Sequence, residues 1–333
     1  MRAISKTFCA AGGANGQAGP TREVTEAELW LLSVGIVALA VWVVVRIARP
    51  NALRLARTPG RPNSLTLVHV VAIYLLNVTA GLGAYELFRR VVQPSPTADP
   101  AARASVVASV VAAEVGMWPA PAGYFALAAD DAFAALARRR AAGQTLAMIV
   151  SGAVTLAVAL AVAARAFSGG LRRGLGLSGR RWLWDAARAA VSLLIVWPLC
   201  WGAMYAMEML IQMGLPVPRI EHALLVYLPS ASAGWRLLIV LGAVVVAPLA
   251  EEVMFRGLLQ SLLRRHCPNP WWAIGITSAI FAFSHLGLYR DWPALFILSV
   301  ALGYNYERTG RLIAPIGLHA LFNAASIAIT LWR

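Results

Sequence analysis

Trp235-Arg236-Leu237-Leu238-Ile239-Val240-Leu241-Gly242-Ala243-Val244-Val245-Val246-Ala247-Pro248-Leu249-Ala250-Glu251-Glu252-Val253-Met254-Phe255-Arg256-Gly257-Leu258-Leu259-Gln260-Ser261-Leu262 is the stretch whose reading decides the fold. A transmembrane helix needs ~20 consecutive, mostly apolar residues, and this run is longer. Comparable runs lie at 27–46, 65–88, 145–167, 187–213, 270–286 and 312–331, with a shorter apolar stretch at 294–306. Together they predict an all-α fold, a polytopic transmembrane helical bundle of about eight spans. The segment 104–129 is apolar but holds Glu114, Pro119 and Pro121. It stays open between a span and an interfacial or re-entrant helix.

The composition agrees. Hydrophobic residues make up 59% of the chain, charged residues 13%, and mean hydropathy is +0.68. An ordinary soluble domain has ~25% charged residues, so a soluble enzyme, a disordered chain and a collagen-like chain are all excluded. The net charge is +14, and Lys6 is the lone lysine among 29 basic residues. These charges are parted by long apolar runs, which points to the positive-inside rule and not to nucleic-acid binding. Arg46, Arg49, Arg54, Arg57 and Arg61 crowd the first loop. Arg172, Arg173, Arg180 and Arg181, then Arg264 and Arg265, then Arg308 and Arg311 mark three more. All four fall on one side, the cytoplasmic one by this rule, if 104–129 does not cross. Arg138, Arg139 and Arg140 then lie on the other side, against the trend. Cys9, Cys200 and Cys267 are too few and too scattered for a disulfide framework or a zinc motif. Residues 1–26 lack the apolar core of a secretory signal and read as an N-terminal tail.

Chemistry concentrates in the last third. In the opening stretch, Glu251, Glu252 and Arg256 interrupt an apolar helix. A charge at bilayer depth costs ~2.5–3.5 kcal/mol or more, and such groups are functional by default. Glu252 and Arg256 are four apart, on one helix face, and can form an ion pair. Glu251 is turned ~100° away and lacks an evident partner. The second cluster is Phe281-Ala282-Phe283-Ser284-His285, in which Phe281 can wall a pocket and keep His285 oriented. The third is His319-Ala320-Leu321-Phe322-Asn323, where His319 and Asn323 share a face. Taken singly, the histidines and the asparagine are ordinary interhelical hydrogen-bonding residues, worth only ~0.6 kcal/mol each on average in membranes.

In combination the three clusters resemble the motifs of the CPBP family of intramembrane proteases, which includes the type II CAAX prenyl endopeptidases and bacterial Abi proteins. The resemblance covers about residues 235–330. It implies that Glu251 and His285 hold and activate a water. It further implies that His319 and Asn323 donate hydrogen bonds to the oxyanion, and that Glu252 and Arg256 brace the site. That chemistry is consistent with the residue types, since burial moves a carboxylate toward the range of a general base. The expected organisation is then a tail at 1–26, transmembrane helices of unassigned role at 27–213, and a catalytic transmembrane domain at 235–331.

The expected activity is an intramembrane endopeptidase acting on a membrane-associated peptide or protein, with the lipid bilayer as its other partner and no nucleic acid. The arginine bias hints at a bacterial chain in the inner membrane, where a prenylated substrate is less expected than a peptide precursor or membrane protein. The alternative is a non-proteolytic bacteriocin-immunity or membrane binding protein; an intact base and oxyanion set favours the enzyme. A proton-relaying transporter is disfavoured because paired broken helices in matching halves are missing. Glu251, His285 and His319 form an alternative zinc ligand set. No metal is favoured, because HExxH is absent and using Glu251 as a ligand leaves no clear base.

Overall fold

A computed structural model describes residues 26–49, 51, 54–55, 60–92, 131–177, 181–217, 223–285 and 288–332. The expected tail lies outside these residues apart from Glu26, and the segment 104–129 lies wholly outside them. Among the described residues the chain is helical, with one isolated bridge between Asn63 and Phe167 and no strand. The helices are α1 (Glu26–Ala48), α2 (Leu67–Val92), α3 (Asp131–Ala166), the short α4 (Gly170–Gly174) and α5 (Trp182–Gln212). They continue with the short α6 (Ala223–Tyr227), α7 (Ala233–His266), α8 (Pro270–Ser284), α9 (Trp292–Thr309) and α10 (Ile313–Trp332).

Six of these, α1, α2, α3, α5, α7 and α10, are long and apolar enough to cross a membrane. The other two expected spans appear as α8 and α9, which are shorter or less apolar; α9 carries Glu307 and Arg308 near its end. Side chains such as Val37, Val44 and Ile47 of α1 face outward. In a water-soluble protein such a surface would be a liability; on apolar helices of spanning length it faces lipid. The protein is an integral membrane protein.

The helix α7 is the hub, packing against α2, α3, α8, α9 and α10. Its second half is the most buried part of the chain. Val253, Phe255 and Leu258 join Phe281 of α8, Tyr306 of α9 and Leu175 in one apolar cluster. Its first half lies close against α3, because Gly152 has no side chain there: a Cβ would stand 2.8 Å from Val246. Small residues at such crossings let membrane helices approach, and this one brings Glu251 next to α3.

The arginine-bearing connections meet at one end of the bundle. Arg61 donates to the carbonyls of Gly174 and Gly310. Arg308 donates to the carbonyl of Arg54 at 3.2 Å, and the Gly60 amide reaches the carbonyl of Arg264 at 3.3 Å. Arg311 pairs with the buried Asp185 at 2.6 Å. The junction depends on Gly176 (φ +65°), where a Cβ would stand 2.1 Å from the Gly310 carbonyl. The end of α3 joins this region through the bond from Ser64 to Ala166. With 36 residues, α3 runs ~54 Å at 1.5 Å per residue. Arg138, Arg139 and Arg140, near its start, therefore lie toward the opposite end, beyond a ~30 Å hydrocarbon core.

Candidate active site

Pro248 shapes the helix that carries the two acids. A proline inside a helix removes one donor and its ring crowds the preceding turn. The chain responds with a widened, π-helical stretch at Gly242–Val246, and a second follows at Val253–Gln260. Such bulges often lie at functional sites. In the first, the Ala247 amide turns to the carbonyl of Gly242, one residue further back than in an α-helix. Pro248 has no N–H to offer. The carbonyl of Ala243 instead accepts a hydrogen bond from the side-chain amide of Asn323, on α10, at 2.8 Å.

Glu252 is the centre of a buried polar network. Its Oε1 accepts from Arg256 Nη1 at 2.8 Å, and both side chains are fully buried. The same oxygen lies 2.9 Å from His319 Nδ1. A carboxylate can only accept, so His319 donates from Nδ1, which fixes its ring orientation. Arg256 also donates from Nη2 to the Ser299 hydroxyl at 2.7 Å and to its carbonyl at 3.2 Å. Its guanidinium carbon lies 4.8 Å from the centre of the Phe281 ring, a cation–π contact.

Glu251 projects from the same helix in another direction. Its Oε2 is buried without a hydrogen-bond partner and stands 3.8 Å from His319 Nε2. That separation is too long for a direct hydrogen bond and suits a bridging water or substrate atom. Its side chain is 27% exposed and borders a cavity of about 90 Å³.

His285 stands one aromatic ring away. The helix α8 ends at Ser284, and His285 leaves helical geometry with φ −87° and ψ 63°. Its Nδ1 lies 2.8 Å from the Phe281 carbonyl. A carbonyl accepts, so Nδ1 is the protonated nitrogen and Nε2 is left as an acceptor. The Phe281 ring packs on His285 at 4.8 Å and on His319 at 5.9 Å between centroids. Trp292 holds the turn by donating to the His285 carbonyl at 3.0 Å.

Of the residues singled out in the sequence, Glu251, Glu252, Arg256, Phe281 and His319 are brought together directly. His285 joins them through Phe281, and Asn323 is tied to the Ala243 backbone. The zinc alternative does not fit this arrangement. Among the described residues, no three His, Cys, Asp or Glu side chains come within reach of one ion. The Nδ1 atoms of His285 and His319 are engaged by Phe281 and Glu252, which leaves Nε2 of each ring open. Ser299 was not foreseen, because a serine in an apolar helix has no spacing relation to Arg256. Asn77 and Thr155, which border the cavity beside Glu251, were also passed over. Their signal was simply a polar residue in the middle of an apolar span.

Residues 233–325 match the family model of the type II CAAX prenyl endopeptidase Rce1-like proteins. The match supports the likeness to CAAX/CPBP family proteases that the three motifs carry. The chain is also similar to an uncharacterized 24.3 kDa protein of Escherichia coli, at 33% identity over 79 residues, or 22% of this chain and 36% of that protein. It thus spans about a third of the length of this curated relative. No solved structure matches.

Proposed function

We propose that this protein is an intramembrane endopeptidase that hydrolyses a peptide bond in a membrane-associated protein or peptide, in the inner membrane of a bacterium. The observation that carries this reading is the gap between Glu251 and His319. An unpartnered carboxylate oxygen faces a ring nitrogen at 3.8 Å, with a cavity beside the acid and Arg256 committed to the neighbouring Glu252.

Charge balance says what this gap does. Glu251 and Glu252 carry two negative charges when ionised, and Arg256 offsets one. Unbalanced charge is costly away from water, so one further proton belongs on the Glu251–His319 edge. A mobile proton at that edge is what hydrolysis needs. Glu251 takes a proton from water as the water oxygen bonds to the scissile carbonyl carbon. His319 Nε2–H, backed by Glu252, stabilises the resulting oxyanion. The proton on Glu251 then passes to the departing amine as the C–N bond breaks. Preorganised donors of this kind contribute ~3–4 kcal/mol each.

Asn323 has two N–H bonds, and Ala243 uses one. The second is the further oxyanion donor. Asn323→Ala is therefore expected to lower turnover by roughly 10²–10³-fold. It should also cost up to ~1.7 kcal/mol of stability, the upper end for one interhelical bond in a membrane. Turnover assays and thermal unfolding in detergent read the two effects separately. Lost stability with full turnover would leave Asn323 as a helix tie alone.

Exhaustive chelation of the purified protein is expected to leave cleavage intact. Stoichiometric zinc, whose removal stops cleavage and whose return restores it, would instead assign Glu251, His285 and His319 to a metal.

A further inference from the structure

The helices outside the family match contribute a polar element of their own. Thr155 of α3 is buried, and its hydroxyl donates to Asn77 Oδ1 of α2 at 2.9 Å. As a tie between helices this bond would need no further comment. Its surroundings do. Both residues border the same cavity of about 90 Å³ as Glu251, together with Ser151. A water occupies ~30 Å³ and needs two to four polar partners. This cavity has the room and the partners for water.

Donor accounting gives the cavity a direction. Thr155 occupies Asn77 Oδ1, which turns the Asn77 amide nitrogen away from it. No hydrogen bond ties that nitrogen to any described residue. Glu251 borders the same cavity; its Oε2 is sealed in beside His319, so the carboxylate presents its other oxygen. Ser151 donates to the Met148 carbonyl at 3.3 Å, leaving its oxygen to accept. A free amide donor and a free carboxylate acceptor thus border one water-sized space from opposite halves of the chain.

We propose that this cavity is the site of the attacking water, and that Asn77, oriented by Thr155, donates a hydrogen bond to it. The water gives one proton to Glu251 while its oxygen forms the bond to the scissile carbonyl carbon. Asn77 leaves one lone pair free for that attack. The assignment rests on the hydrolytic reading of Glu251 and gives the N-terminal helices a catalytic part.

The test uses full-length protein in lipid nanodiscs, with a substrate that wild type cleaves and Glu251→Gln does not. Asn77→Leu should lower kcat by roughly 10–10²-fold, the scale of a misplaced reactant, with KM within about threefold. Asn77→Asp, which keeps an acceptor for Thr155 and removes the N–H donor, should lower kcat to a similar extent. A purely structural role would spare this near-isosteric variant. Thr79→Val is the control: Thr79 lies on the same helix but bonds to its own Leu75 carbonyl at 2.9 Å. Wild-type kcat in Asn77→Leu or in Asn77→Asp overturns the proposal. One readout needs no substrate. A high-resolution map of the wild-type protein should show ordered water between Asn77 Nδ2 and Glu251, lost in Asn77→Leu. An empty cavity overturns the proposal even if cleavage is intact. Cleavage by Glu251→Gln would instead sink the hydrolytic reading, with the water still visible.

Discussion

Glu251→Gln should abolish cleavage and leave the protein folded. The substitution keeps shape and removes the base, a change that costs roughly 10²–10⁴-fold for proton transfer alone. Folding has little at stake in this carboxylate, since its Oε2 makes no hydrogen bond. Melting in detergent should therefore stay close to wild type. Comparing the membrane proteomes of cells carrying wild-type or Glu251→Gln protein identifies the substrate as the species that accumulates uncut. Full cleavage of that substrate by the variant would refute the mechanism. An unchanged proteome would favour the binding or immunity alternative.

Glu252→Gln should behave in the opposite way, losing the fold first. One oxygen of Glu252 serves both Arg256 and His319, at 2.8 and 2.9 Å. Without the carboxylate, Arg256 keeps Ser299 and the Phe255 and Phe281 rings, and no anion, in a fully buried position. Breaking a buried pair on one side typically costs ~3–5 kcal/mol. Yield and melting temperature should fall sharply. Replacing both partners, Glu252→Leu with Arg256→Leu, should recover much of the stability, because a well-packed apolar pair can stand in for a buried ion pair. It should not recover cleavage, because His319 would lose its anchor. A Glu252→Gln protein as stable and as active as wild type would show that the two adjacent acids are interchangeable.

The bundle was legible from run length alone, and the Glu252–Arg256 pair from a spacing of four. Those are local properties, and the sequence carries them directly. The partners of His319 and Asn323 are not local. Glu252 is 67 residues from His319 in the chain, and Ala243 is 80 from Asn323. The second of these contacts arises because Pro248 forces a wider turn, so a backbone carbonyl becomes the asparagine's partner. No side-chain pattern announces that. The spacing of four puts His285 one turn from Phe281, but His285 lies just past the helix end, held by a bond to a main-chain oxygen. Asn77 could have been noticed as an amide in mid-span, but its direction depends on Thr155 in another helix. The N-terminal helices appeared chemically silent for that reason.

The widened turn before Pro248 works as a spatial reading frame for the two acids. Glu251 and Glu252 are sequence neighbours with different tasks, and which acid meets which environment depends on how many residues separate them from the part of α7 anchored on α3. A π turn holds one residue more than an α turn. Omitting one residue from Gly242–Val246 and closing the turn to ordinary pitch would therefore leave Glu251 and Glu252 close to their present bearings. The same omission between Ala247 and Glu251, where the pitch is already that of an α-helix, would turn everything downstream by ~100°. Glu252 would then swing to the bearing of Glu251, and Arg256 would leave Ser299 and Phe281. Val245, 45% exposed, thus lies in a turn that can absorb a change of length, whereas Pro248, Leu249 and Ala250 lie in one that cannot.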